Sequence, residues 1–143
     1  MLFVSTRIER DLYAIDTENV VEIIPYVEIR KHKLNETSNV GFINYRKEQI
    51  PILDLSILVA GKPSRAMFSS RIIIFLVDEI YFGVLSEQIT ETFKLKSESQ
   101  MSKNSNLMGS LFISDLIHYE DEQYYRIEVR SLLEIAFPMG VGK

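Results

Sequence analysis

Residues Gly41 to Leu55 read GFINYRKEQIPILDL, and this stretch decides the fold. Two apolar runs, GFI and IPILDL, flank a polar stretch from Asn44 to Gln49 that holds Arg46 and Lys47. A strand, a tight connection and a second strand is the pattern such spacing predicts. Pro51 has no N–H to give to a ladder, so it is predicted at the start or the edge of the second strand.

Strand signals continue in both directions from this hairpin. Leu2–Ile8, Leu12–Ile15, Val20–Ile24, Ile72–Val77, Ile80–Leu85, Ile89–Leu95, Leu107–Ile113 and Tyr124–Val129 are short runs rich in β-branched and aromatic residues, with turn residues between them. Helix is scarce. Leu55–Ala60, stopped by Gly61, and Ser131–Ala136, stopped by Pro138, suit one or two turns each. The serine-rich stretch Lys96–Asn106 reads as a loop. Many short strands of this kind predict an all-β chain folded as a small barrel or sandwich.

A weak internal repeat refines this. Tyr13–Ile24 (YAIDTENVVEII) lies over Phe82–Phe93 (FGVLSEQITETF) without a gap. Ile15 falls on Val84, Val20 on Ile89 and Glu22 on Glu91. After an insertion, Glu48–Leu58 lies over Glu122–Leu132, with Leu53 on Ile127 and Asp54 on Glu128. A duplicated unit of roughly 60 to 70 residues is small for an independent core, so the copies are expected to pack on each other. The expected division is a single domain over residues 1–143. Its first subdomain spans 11–67 and its second 68–136, with the N-terminal strand 2–8 free to join the second.

Composition excludes several classes. The chain has 143 residues, 46% hydrophobic and 25% charged, as in an ordinary globular domain. Its longest strictly apolar run, Ile72–Val77, is far short of the ~20 residues that cross a bilayer. Only Leu2, Phe3 and Val4 precede polar residues at the N-terminus, so no secretory segment is predicted. Absent cysteine rules out disulfides, thiol nucleophiles and thiolate metal sites. The net charge of −4 has the wrong sign for nucleic acid.

No catalytic group emerges. His32 lies in a basic run and His118 beside an acidic turn, both contexts of surface residues. There is no phosphate loop, no His-Glu-x-x-His pair and no nucleophile elbow. Glu22 with Asp54 is a poor acid/base pair without a histidine to support it. The Glu120-Asp121-Glu122 run is a solvated hairpin tip. Neither cofactor nor metal is expected. The polar pair of interest is Glu22 with Arg46, whose charges are complementary; the alternative is that Arg46 is a free hairpin charge.

The Gly41–Leu55 stretch resembles the Gly-x-Ile-Asn-x-Arg-Gly-x-x-x-Pro-x-x-Asp-Leu signature of CheW-like domains. Gly41, Ile43, Asn44, Arg46, Pro51, Asp54 and Leu55 match in order, and Lys47 stands where glycine is usual. Val20-x-Glu22-Ile23, Gly83-Val84 and Ile127-Glu128-Val129 followed by Leu132-Leu133 extend the resemblance over nearly the whole chain. The proline-bearing stretch usual before Gly41 is replaced by Arg30–Asn39, which has no proline.

The resemblance implies two Src-homology-3-like β-barrels with a groove between them and little helix. It implies a cytoplasmic, non-catalytic adaptor at receptor arrays on the inner face of the membrane. The partners would be the cytoplasmic tip of chemoreceptors, a helical hairpin lying in the groove, and the regulatory domain of a CheA-type histidine kinase. Val20 and Ile23 would supply apolar contact and Asn44 and Arg46 orientation, while Glu22 and Arg46 would face the one groove and pair there. Competing readings are a CheW-like scaffold in a non-chemotactic receptor-kinase pathway, such as pili or biofilm control, and an oligonucleotide-binding barrel. The latter calls for exposed aromatics among basic residues, whereas Tyr124 and Tyr125 follow an acidic run.

Overall fold

The structure, a computed structural model, describes residues 1–31, 40–97, 100–103 and 111–137. Its strands are β1 (Leu2–Ile8), β2 (Asp11–Asp16), β3 (Val20–Pro25), β4 (Arg30–Lys31), β5 (Val40–Tyr45) and β6 (Glu48–Asp54). After helix α1 (Leu55–Ala60) come β7 (Arg71–Val77), β8 (Ile80–Ser86), β9 (Ile89–Lys94), β10 (Met101–Lys103), β11 (Ile113–Tyr119) and β12 (Glu122–Ile127), then α2 (Val129–Ala136).

The strands form two six-stranded sheets, β3-β7-β8-β6-β5-β4 and β10-β11-β12-β2-β1-β9. Their registers reproduce the sequence repeat. Leu53 pairs with Val84 across parallel strands in one sheet, and Ile127 with Ile15 in the other. A β-bulge falls between Val20 and Glu22 against β7, and the register of β1 on β9 shifts at the equivalent place, between Glu91 and Ile89. Sheet membership nevertheless departs from the boundaries 11–67 and 68–136. The first sheet is the continuous run from β3 to β8, inserted between β2 and β9, so both β1 and β2 serve the second sheet. A repeat shows which segments are alike; it does not say which copy a hairpin pairs with.

Three apolar clusters account for this arrangement. Ile43, Tyr45, Ile50, Ile52, Ile72, Ile74 and Leu85 fill the first unit. Phe3, Leu12, Ala14, Phe93, Leu95, Ile117 and Tyr124 fill the second. The third cluster lies between them, where Ile73, Phe75, Phe82 and Val84 meet Tyr13, Ile15, Ile127 and Leu132. Strand β7 therefore buries both faces, which is why Ile72–Val77 is continuously apolar and does not alternate. Gly83 sits on β8 beside Ile52 of the parallel strand β6: a Cβ there would lie 2.7 Å from Ile52 Cδ1 and 3.1 Å from the Ile73 carbonyl oxygen.

Asp54 ends β6 and starts α1. Its carboxylate accepts from the backbone N–H groups of Ser56, Ile57 and Ser64 and from the Ser64 hydroxyl, at 2.6–3.5 Å. It caps the helix and ties down the loop behind it, which explains its place in the motif and leaves no free base.

Some local expectations are corrected. Pro51 lies inside β6, a strand with neighbours on both sides, opposite Phe42. Pairing with β8 begins only at Ile52, so no ladder bond from Pro51 is required. Met101–Lys103, within the predicted loop, forms β10 against β11. The strand placed at Leu107–Ile113 starts at Ile113 and runs to Tyr119; residues 107–110 lie outside the described residues. Val129, the predicted end of a strand, opens α2.

The β5–β6 turn holds Arg46 at φ 49° and Lys47 at φ 68°. Two consecutive left-handed residues match the twist of a tight hairpin and favour glycine at the second position. Lys47 accepts the left-handed conformation instead of avoiding it. Relief of that strain, partly offset by the entropy of an unfolded glycine, is worth about 0.5–1 kcal/mol. Lys47→Gly is therefore expected to raise the urea midpoint with an unchanged m-value; a lower midpoint would contradict it.

Candidate protein-docking site

Strand β3 is an edge strand, and the bulge within it sorts its side chains. Val20 lies opposite Phe75 and packs on the cluster between the units. Beyond the bulge Glu22 lies opposite Ile74, on the face that looks into the first unit. Ile23, opposite Ile73, is 38% exposed. Val21, Tyr26 and Val27 are also exposed, giving an apolar margin beside an unpaired strand edge.

The Glu22 carboxylate has a partner that the sequence reading missed. The Tyr45 phenol donates to Glu22 Oε1 at 2.6 Å. This hydrogen bond, with burial second, holds the phenol's pKa above its ordinary value. The Arg46 guanidinium lies over the Tyr45 ring, 5.3 Å from its centroid, and Nη1 donates to the Tyr81 hydroxyl at 3.4 Å. Tyr45 and Tyr81 meet edge to face at 5.6 Å. The direct Glu22–Arg46 ion pair is not formed: each charge binds Tyr45 from its own side. Asn44, between inward-facing Ile43 and Tyr45, is exposed on the outer face of β5, and so is not gathered with the others. The missed signal was the spacing itself. Ile43 and Tyr45 alternate inward, and a buried phenol at a barrel rim needs an acceptor.

The second unit repeats part of this geometry. Glu91, the counterpart of Glu22, accepts from Tyr124 at 2.8 Å, and burial followed by that hydrogen bond raises the Tyr124 pKa. The turn corresponding to Arg46–Lys47 is Glu120–Asp121, so the two rims carry opposite charge.

Nothing here resembles a reaction centre. Among the described residues no group of three or more histidine, cysteine, aspartate or glutamate side chains could hold a metal. His118 is exposed, and His32 lies outside the described residues. No helix of the described residues is long and apolar enough to cross a membrane.

Two edge-bearing sheets joined by a common core, with an apolar strand margin and two opposite charges held on one tyrosine at the rim, match a known design. The CheW-like domain family model fits residues 2–135. The chain belongs to that family. CheW-like domains are non-catalytic scaffolds, and the chain is accordingly an adaptor-type domain and not an enzyme. Among solved structures it is similar to the scaffolding protein TtCheW from Thermoanaerobacter tengcongensis, with a TM-score of 0.78 at 22% identity, covering 90% of this chain and 84% of that one. The likeness establishes the two Src-homology-3-like barrels of this CheW-like domain. No curated protein is similar enough in sequence to count as a relative.

Proposed function

We propose that this CheW-like domain couples chemoreceptors to a CheA-type histidine kinase, and that a helical hairpin from the receptor tip docks on the β3 side of the inter-barrel groove. The carrying observation is the exposed apolar margin of β3, Val21 and Ile23, set beside the Glu22–Tyr45–Arg46 cluster. A helix laid on such a surface gains affinity from apolar burial, while a few charges fix its register. Val20 supports the strand from below, and Asn44 would meet the partner only where it wraps over the outer face of β5. The second partner is the kinase regulatory domain, and the working location is the cytoplasmic face of a receptor array.

The test is binding, by calorimetry, of purified receptor-tip hairpins and kinase regulatory domains encoded in the same genome. Ile23→Asp is expected to weaken hairpin binding at least about tenfold, since a charge must then be desolvated in an apolar contact. Its melting temperature should move little, because Ile23 is already partly exposed. Unchanged hairpin affinity in Ile23→Asp, or no wild-type affinity for either partner, would refute the assignment.

A further inference from the structure

We propose that Tyr45 is a positioning residue of the docking surface, holding Glu22 and Arg46 apart as a fixed acceptor–donor couple. The inference rests on the docking reading above and adds a residue and a recognition chemistry to it. Complementary charges of this kind would pair with each other if nothing stood between them. Tyr45 prevents this with two different parts of one side chain. Its hydroxyl occupies Oε1 of Glu22 at 2.6 Å, and its ring carries the Arg46 guanidinium at 5.3 Å. The ring is itself buried, 8% exposed and packed in the core of the first barrel with Ile43, Ile50 and Tyr81. Both charged residues remain solvent-exposed, so their remaining hydrogen-bonding capacity points outward. A surface built this way takes a partner that brings a carboxylate to Arg46 and a cationic or N–H donor to Glu22. On one helix that means opposite charges one turn apart.

The conservative substitution separates the two functions of the ring. Tyr45→Phe keeps the platform for Arg46 and removes only the hydroxyl. It is expected to leave the melting temperature within a few degrees and to weaken binding of the receptor-tip hairpin about tenfold. In a Glu22→Ala background the same change should cost nothing further, because the hydroxyl acts through Glu22. A purely structural role for the hydroxyl would give the same loss in both backgrounds and would overturn the proposal, as would affinity within twofold of wild type. A second readout needs no partner. The ultraviolet difference titration of wild type against Tyr45→Phe should show a phenol ionising above ordinary tyrosine, and Glu22→Ala should lower it. If that shift appears while no hairpin binds, the docking reading fails and the Tyr45 geometry stands. If the shift is missing, the Tyr45 proposal fails by itself.

Discussion

Phe82→Ala is expected to lower the free energy of unfolding by about 3–5 kcal/mol, the range for truncating a fully buried phenylalanine. Phe82 and its neighbour Phe75 are both 0% exposed, and their rings stack at 5.1 Å. They belong to the cluster that unites residues of both sheets, among them Tyr13 and Ile15 from one and Leu53 and Val84 from the other. A cavity there weakens both barrels together. Since a domain of this size is stable by only about 5–15 kcal/mol, the variant should be marginal at 37 °C. Urea denaturation followed by circular dichroism and by tyrosine fluorescence should give coincident curves. A loss under about 1 kcal/mol, or separate transitions for the two probes, would show that the barrels are energetically independent.

Removing residues 1–16 should have a larger effect and abolish folding. The segment contains β1 and β2, which lie in the middle of the second sheet between β12 and β9. It carries Phe3, Val4, Leu12, Tyr13 and Ile15, all 8% exposed or less. Each such side chain is worth about 2–5 kcal/mol against alanine, so together they exceed the whole stability of the domain. The first sheet would keep all its strands but lose the apolar surface that covers Ile73, Phe75 and Phe82. Loss of β-sheet circular dichroism and of a cooperative melt is the expected outcome. A folded, monomeric product would show instead that the first barrel stands alone.

Local strand and helix positions were largely legible because they depend on neighbouring residues. Leu2–Ile8, Val20–Ile24 and Leu55–Ala60 carry their own alternation, branching or capping, and the structure forms β1, β3 and α1 there. β11 departs from the expected Leu107–Ile113 because of a buried charge. Its inward positions are Ile113, Asp115 and Ile117, and Asp115 is 4% exposed, held by Arg126 at 3.1 Å. A pattern search treats aspartate as outward-facing and so loses the alternation. Which sheet receives each hairpin was not legible, since the two copies offer equivalent edges and only the long-range core discriminates between them. At the candidate site the sequence showed two complementary charges, Glu22 and Arg46. It did not show the tyrosine between them, because a phenol's partner depends on where its strand ends relative to another strand.

Among the described residues the chain crosses between the barrels twice, at residues 17–19 and 87–88, and both crossings carry hydrogen bonds. Thr17 donates to the Leu2 carbonyl at 3.1 Å, Asn19 to the Leu76 carbonyl at 3.3 Å, and Thr6 donates to the Gln88 carbonyl at 2.7 Å. Outside them, Lys62 meets Glu9 at 3.2 Å and Arg130 meets Asp78 at 2.6 Å, each pair tying the turn of one barrel to the helical end of the other. A hinge needs a few residues free to change their backbone angles, and neither crossing offers them. The two barrels are therefore expected to move as one body. If the domain acts as the proposed coupler, a change of signalling state would then fall to the joints it makes with its partners and not to a bend within it.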